Sequence, residues 1–152
     1  MRVVLGTLLA VLVLVLVATV RAGEDAAKKE LKKLNGTWIA IALEKNGEKL
    51  GEKQVKELKL ALTLKDGDYT VKIDGKVIDT GTAKVDPTKE PKTVDIFPSQ
   101  GEDKGKTIQG IYEVDGDTFR ECLDPRGKGR PTAFATKPDS GQVLIVYQRA
   151  KE

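Results

Sequence analysis

The sequence contains no histidine. Histidine is the commonest general acid–base group, the usual partner of a nucleophilic serine or cysteine, and a common ligand of catalytic zinc. Its absence removes the Ser-His-Asp and Cys-His arrangements together with ordinary catalytic zinc sites. Carboxylates are numerous, but most lie at turns, where aspartate stabilises the local backbone. We therefore expect no enzymatic activity, no cofactor and no metal site.

Cysteine is also scarce, since Cys122 is the only one. The chain cannot form an internal disulfide, so its stability must come from packing and backbone pairing. Cys122 lies in a strand-like run, which favours a small buried core residue. Two glycine-rich segments, 101–106 and 127–130, lack the strand–loop–helix context of a phosphate-binding loop and are interpreted as surface turns.

The one long apolar run of the chain lies at its N-terminus, between Val3 and Val20. Arg2 precedes the run, and Val20-Arg21-Ala22 ends it with residues that signal peptidase accepts. We predict that residues 1–22 are a signal peptide and that residues 23–152 form a single exported domain, periplasmic or extracellular. The run also reaches the length of a membrane-spanning helix. Retention as an N-terminal anchor is therefore the alternative, and membrane contact is expected only in that case.

No excess of one charge remains in the predicted exported chain. The full sequence has 26 Lys and Arg residues against 23 Asp and Glu residues. Arg2 and Arg21 are the only charged residues of the predicted signal peptide, so its removal leaves 24 against 23. A nearly neutral chain lacks the basic surface that nucleic-acid binding requires. We therefore expect no nucleic-acid partner, and we expect a monomer.

A short helix is predicted over residues 24–34, where Ala27, Leu31 and Leu34 share one face. From residue 36 onward, the dominant period is two, and Asn-Gly and Asp-Gly pairs separate the alternating runs, which is typical of β-hairpins. Strands are predicted over residues 38–43, 58–64, 69–73, 77–85, 93–97, 107–114, 118–123, 132–136 and 143–148. This pattern predicts an all-β, antiparallel up-and-down barrel of eight or nine strands, because closure leaves no free edge.

The candidate ligand-binding residues are those expected to line the barrel interior: Leu62, Tyr69, Val71, Tyr112, Glu121 and Phe134. Glu121 is the only carboxylate among them. Alternation places it on the same side as Phe119 and Leu123, where a polar group could orient a ligand. A twist or bulge in the strand would instead bring both Glu121 and the adjacent Arg120 to solvent, and the pattern leaves both alternatives open.

The segment Gly36-Thr37-Trp38, with Arg149 at the end of the last strand, resembles the Gly-x-Trp signature and closing arginine of lipocalin-like (calycin) barrels. The resemblance implies that Arg149 packs across Trp38 and closes one barrel end, a contact worth about 0.5–2 kcal/mol. Over residues 31–150, the chain is similar to a family of small exported lipocalin-like domains of planctomycete bacteria. The segments that carry this similarity are Leu34–Trp38, Lys92–Ile96, Gly110–Thr118, Cys122 and Arg130–Phe134. That family implies a fold and a compartment, but no activity.

Two functions are consistent with such a barrel. The first is the binding of a small apolar molecule in the barrel interior. The alternative is a protein-binding module of the cell envelope, or a protease-inhibitor-like barrel without a ligand cavity. That alternative would use the charged segment 24–33 and the polar loops 44–57 and 98–106. A measurable internal cavity would favour the first function over the second.

Overall fold

The computed structural model describes the backbone of residues 5–151 and the side chains of residues 19–151. Residues 1–4 of the predicted signal peptide and residue 152 of the predicted domain lie outside the described residues. Helix α1 (Leu5–Leu34) contains the predicted helix 24–34 and continues from the apolar run without a break. It ends where Gly36 adopts a φ of 125° and turns the chain into the first strand. Within the described part of the chain, no helix is both long and apolar enough to cross a membrane.

The rest of the chain is mainly one antiparallel sheet with a single short helix, α2 (Glu52–Leu58). Its strands are β1 (Gly36–Lys45), β2 (Glu48–Lys49), β3 (Ala61–Lys65), β4 (Asp68–Ile73), β5 (Lys76–Asp86), β6 (Lys92–Pro98), β7 (Ile108–Asp115), β8 (Thr118–Asp124) and β9 (Val143–Arg149). From β3 onward, each strand pairs with the next in the chain, and β1 pairs with both β3 and β9. Eight strands therefore close a barrel, and β2 is a short addition beside the end of β1. The predicted all-β up-and-down barrel is confirmed.

The hairpin turns follow from the local sequence. At Asn46-Gly47, Asp66-Gly67 and Asp74-Gly75, both residues have positive φ values, between 48° and 98°. This is the type I′ geometry, whose twist matches that of the flanking strands. Asparagine, aspartate and glycine tolerate positive φ at low cost, so these pairs determine where the strands turn.

The predicted strand 58–64 begins too early. Leu58 is the last residue of α2, Lys59 adopts a left-handed conformation with φ 47°, and the strand begins only at Ala61. Val55 and Leu58 are three residues apart, which is helical spacing, and Val55 is almost completely buried. Leu58 and Leu60 are two residues apart, which is strand spacing, so Leu58 fits either a helix or a strand. Packing of α2 on β1 favours the helix.

The predicted strand 132–136 is wrong. This segment has no strand geometry, and the Thr136 backbone N–H donates to the carboxylate of Glu44, at 2.9 Å, instead of to a neighbouring strand. The segment passes over Cys122, whose thiol donates to the Ala135 carbonyl at 3.6 Å. Cys122 is buried, as predicted, but it lies on the outer face of β8, beneath this segment. Burial raises the pKa of the Cys122 thiol to about 11.

Candidate ligand cavity

One end of the barrel is closed by the tryptophan–arginine pair. The Arg149 guanidinium lies 4.1 Å from the centre of the Trp38 ring, and the two residues are directly paired across β1 and β9. The guanidinium also donates to the carbonyl oxygens of Asn35 and Lys33, at 2.8 and 2.9 Å, where α1 ends. The Trp38 indole N–H donates to the Leu34 carbonyl at 2.8 Å. The pair therefore satisfies carbonyl groups that the end of a helix leaves without partners.

Helix α1 is fastened across this same end by Glu30. The Glu30 carboxylate accepts hydrogen bonds from Lys92 at 2.5 Å and from Lys33 at 3.0 Å. The Tyr112 hydroxyl donates to it more weakly, at 3.4 Å. Burial opposes ionisation of Glu30, but hydrogen bonds and charges from Lys92 and Lys33 outweigh this effect and lower its pKa. Leu31 and Leu34, on the same stretch of α1, form the floor of the barrel interior.

The interior contains a cavity of about 140 Å³. It extends from Leu31 and Leu34 at the floor to the opposite end of the barrel. At this far end, the lining residues Val71, Ile96, Leu123 and Ile145 are half-buried, whereas Leu60 and Ile108 are buried. The cavity therefore has a floor formed by α1 and a mouth at the other end, beside the connections 99–107 and 125–142.

Five of the six candidate residues line this cavity: Leu62, Tyr69, Val71, Tyr112 and Glu121. The sixth, Phe134, does not. It belongs to the segment 132–136, and its ring lies 4.0 Å from the guanidinium carbon of Arg120 on the outer surface. The expectation that Phe134 lies inside the barrel is wrong because the segment that carries it is not a strand of the barrel.

Glu121 lies inside the barrel and Arg120 lies outside. The register between β7 and β8 runs without a bulge from Gln109 opposite Asp124 to Asp115 opposite Thr118. The alternation of β8 is therefore preserved, and Arg120 pairs with Glu113 on the outer face. Glu121 is 6% exposed, and its one hydrogen-bond partner among the described residues is the Tyr147 hydroxyl, at 3.0 Å.

Burial raises the pKa of Glu121 to about 7, against a smaller lowering effect of the Tyr147 hydrogen bond. Removal from water destabilises the carboxylate more than the neutral acid, and no lysine or arginine among the described residues compensates for that loss. Glu121 thus changes its charge near neutral pH. A buried group that titrates in this range, within a cavity, is a candidate for a functional role.

A second carboxylate stands at the cavity wall. The Tyr69 hydroxyl donates to Asp79 at 2.9 Å. Gly81 makes this contact sterically possible, because a Cβ atom there would lie 2.9 Å from the Tyr69 ring and hydroxyl oxygen. Burial, assisted by the charge of Asp79, raises the pKa of the Tyr69 hydroxyl well above its ordinary value.

The candidate list omitted most of the aliphatic lining residues, together with the charged or aromatic residues Asp79, Phe119 and Tyr147. The alternation of β5 could have found Asp79, because counting back in twos from Val85 and Ala83 reaches Gly81 and then Asp79. Phe119 and Tyr147 lie on the inner face for the same reason. Their rings stack at 5.5 Å, and Trp38 packs against Phe119 in a tilted arrangement at the same centre-to-centre distance. The rings of Phe119 and Tyr147 form an aromatic part of the cavity wall, and Trp38 supports them from outside the cavity.

Among the residues that the structure describes, no group of three or more carboxylate, cysteine or histidine side chains is arranged to hold a metal ion. No protein-family profile, curated protein or solved structure matches this chain.

Proposed function

We propose that this chain is an exported, non-enzymatic protein that binds a small apolar molecule inside the barrel. The observation that carries this proposal is the 140 Å³ cavity, whose lining consists mainly of aliphatic and aromatic side chains. Such a cavity, with a few polar groups at chosen positions, is the usual form of a small-molecule site. A barrel that served only as a scaffold for protein-binding loops would gain stability by filling this space.

The cavity volume limits the size of the ligand. An apolar cavity of about 150 Å³ accommodates benzene. A ligand that lies wholly inside this barrel is therefore about the size of one six-membered ring. A larger molecule would have to leave part of its surface at the mouth, between Ile96 and Ile145.

Benzene is expected to bind the purified protein with a saturable signal, because it fills apolar space that is closed at the α1 end. Ala83, which lines the cavity, provides the test. Ala83→Leu fills part of the cavity and is expected to weaken benzene binding by about tenfold or more, since steric exclusion opposes it. Binding is measured by following cavity methyl resonances in NMR spectra during titration.

Thr82→Leu is the matched control, because Thr82 is exposed on the same strand. It adds a similar apolar side chain outside the barrel and should leave benzene affinity within about twofold. Failure of the unaltered protein to show saturable binding would overturn the proposal. The envelope protein-binding function would then be the one to pursue, by capture experiments with the loops 44–57 and 98–106.

The export part of the proposal is supported by where α1 touches the barrel. Residues 19–22 are exposed, whereas packing on the barrel core begins at Ala27 and continues through Leu31 and Leu34. Cleavage after Ala22 would leave the floor of the cavity and the Glu30 contacts in place. Signal-peptide cleavage and closure of the barrel would thus involve different parts of α1.

We expect the full-length chain, produced in a bacterium with an outer membrane, to be recovered from the periplasm with Gly23 as its first residue. Mass spectrometry of the intact protein from each cell fraction measures this. A chain that lacks residues 1–22 is the control and should stay in the cytoplasm. Recovery of the uncleaved chain in the membrane fraction would favour the anchor, and recovery in the cytoplasm would contradict export.

A further inference from the structure

We propose that the cavity selects a small apolar amine, whose ammonium group binds the carboxylate of Glu121 while its hydrocarbon part fills the space below. This inference rests on the proposed ligand-binding function and specifies the chemical class of the ligand. The hydrogen-bonding groups that face the cavity are nearly all acceptors, and such a cavity favours a ligand that donates hydrogen bonds.

The hydroxyl protons of the tyrosines that line the cavity are already donated to protein carboxylates. The polar lining residues are three tyrosines and two carboxylates: Tyr69, Tyr112, Tyr147, Asp79 and Glu121. Each tyrosine hydroxyl donates its single proton to a carboxylate, that of Asp79, Glu30 or Glu121. When Glu121 is ionised, what remains for a ligand are oxygen lone pairs. None of the lysines and arginines that the structure describes lines the cavity.

Glu121 has an acceptor atom free for a ligand. Its Oε1 accepts from Tyr147, and no described residue donates to its Oε2. No fully buried side-chain oxygen of the described residues lacks a partner. Oε2 must therefore retain accessible surface, and because Glu121 lines the cavity, that surface faces the cavity. A nearly buried carboxylate oxygen with no cation beside it is a strong acceptor for a charged donor.

An ammonium group matches this arrangement better than other polar groups of similar size. It carries three donors and a positive charge, so it can bind Oε2 and also donate to a neighbouring tyrosine oxygen. A hydroxyl supplies one donor without a charge. A carboxylate ligand would be repelled by Glu121 and Asp79. The hydrocarbon part is required because the rest of the lining, down to Leu31 and Leu34, is apolar.

Three ligands with the same number of non-hydrogen atoms as benzene test the proposal: methylcyclopentane, cyclopentanol and cyclopentylamine. At pH 8, cyclopentylamine is expected to bind at least about tenfold more tightly than cyclopentanol, as a charge-assisted hydrogen bond predicts. Glu121→Gln should remove this preference and leave the affinity for methylcyclopentane within about twofold. The hydrocarbon thus reports whether the cavity of the variant is intact.

Asp79→Asn is the matched control, because it neutralises the other carboxylate of the cavity wall and keeps a group that can accept from Tyr69. It should weaken cyclopentylamine binding by less than about threefold, since Asp79 is more exposed than Glu121 and ion pairs of more exposed groups are weaker. A larger loss in Asp79→Asn than in Glu121→Gln would overturn the assignment to Glu121.

Proton release gives an independent measurement. The titratable groups that line the cavity with Glu121 are Tyr147 from β9, Tyr112 from β7, Tyr69 from β4 and Asp79 from β5. An ammonium ion beside Glu121 stabilises its carboxylate, so at pH 7 the binding of cyclopentylamine should release protons from this group. Calorimetric titrations in buffers with different ionisation enthalpies measure the release, which should vanish in Glu121→Gln.

The outcomes separate this inference from the proposed function. If methylcyclopentane binds but cyclopentylamine binds no better than cyclopentanol, the amine proposal is wrong and the ligand-binding function stands. If none of the three ligands binds, both proposals are wrong. Amine binding that survives Glu121→Gln, or that releases no proton, also overturns the role given to Glu121.

Discussion

Replacement of Glu121 by glutamine is expected to remove a pH-dependent contribution of about 3 kcal/mol to the free energy of unfolding. The pKa of Glu121 is about 7 in the folded chain and near 4.5 in an exposed carboxyl group. Each unit of difference corresponds to about 1.36 kcal/mol. A pKa that is raised on folding means that the folded state holds the proton more tightly. Its stabilising contribution is therefore complete below about pH 4.5 and is lost as the pH rises through 7.

The measurement is urea denaturation of the original protein and of Glu121→Gln between pH 4.5 and 8. As the pH rises, the free energy of unfolding of the original protein should fall by about 3 kcal/mol relative to that of Glu121→Gln. Comparing the two proteins at each pH cancels the contributions of the other titratable groups. A difference that stays constant with pH would show that the carboxyl group does not titrate in a buried position.

Glu44→Gln is the control with the opposite sign. Hydrogen bonds from the Thr136 hydroxyl and backbone N–H lower the pKa of Glu44. A lowered pKa gives stability that is present at neutral pH and lost as the pH falls below the ordinary range of a glutamate. The advantage of the original protein over Glu44→Gln should therefore shrink on acidification. On the same acidification, the stability of the original protein relative to Glu121→Gln should increase.

Truncation of Trp38 is expected to cost about 3–5 kcal/mol, the usual loss for a fully buried aromatic residue. Trp38 has no exposed surface, packs on Phe119 and Arg149, and donates to the Leu34 carbonyl. Trp38→Ala opens a void at the closed end of the barrel and leaves that carbonyl without its donor. Urea denaturation followed by far-UV circular dichroism measures the loss.

Ile39→Ala is the matched control on the same strand, because Ile39 faces outward and is 40% exposed. It should cost about 0.5 kcal/mol or less. Arg149→Lys should fall between the two, at about 1–2 kcal/mol, since lysine keeps the charge but loses the planar stacking and the forked donors to Lys33 and Asn35. A loss in Trp38→Ala no larger than in Ile39→Ala would contradict the role of this residue in closing the barrel.

Much of the fold was predictable because its signals are local. Asp66-Gly67 and Asp74-Gly75 adopt the turns that their side chains favour, and between them Tyr69, Val71 and Ile73 alternate as a strand must. Segments 58–64 and 132–136 were mispredicted because their short apolar runs fit more than one structure. The partner of Thr136 is Glu44, 92 residues away, and no local pattern indicates a contact at that separation.

The candidate site was predictable to the extent that alternation held. Leu62, Tyr69, Val71 and Tyr112 follow from the period of two. Glu121 was ambiguous, because a single-residue bulge would have turned it outward. Such a bulge does occur between β4 and β5, where Val77 and Ile78 are both exposed, but not between β7 and β8. Hydrogen bonding between β7 and β8 determines that Glu121 faces inward. The residue pattern of β8 alone does not show whether that pairing contains a bulge.

By itself, the sequence determined the absence of histidine chemistry and of internal disulfides, the positions of the tight turns, and the alternation that builds an antiparallel barrel. These properties depend on composition and on neighbouring residues. Only the tertiary structure decided that α1 forms the floor, that a cavity of about 140 Å³ remains above it, and that Glu121 lies inside with no described lysine or arginine among the residues that line the cavity. Those properties depend on which distant side chains meet, and closure of β9 on β1 brings them together.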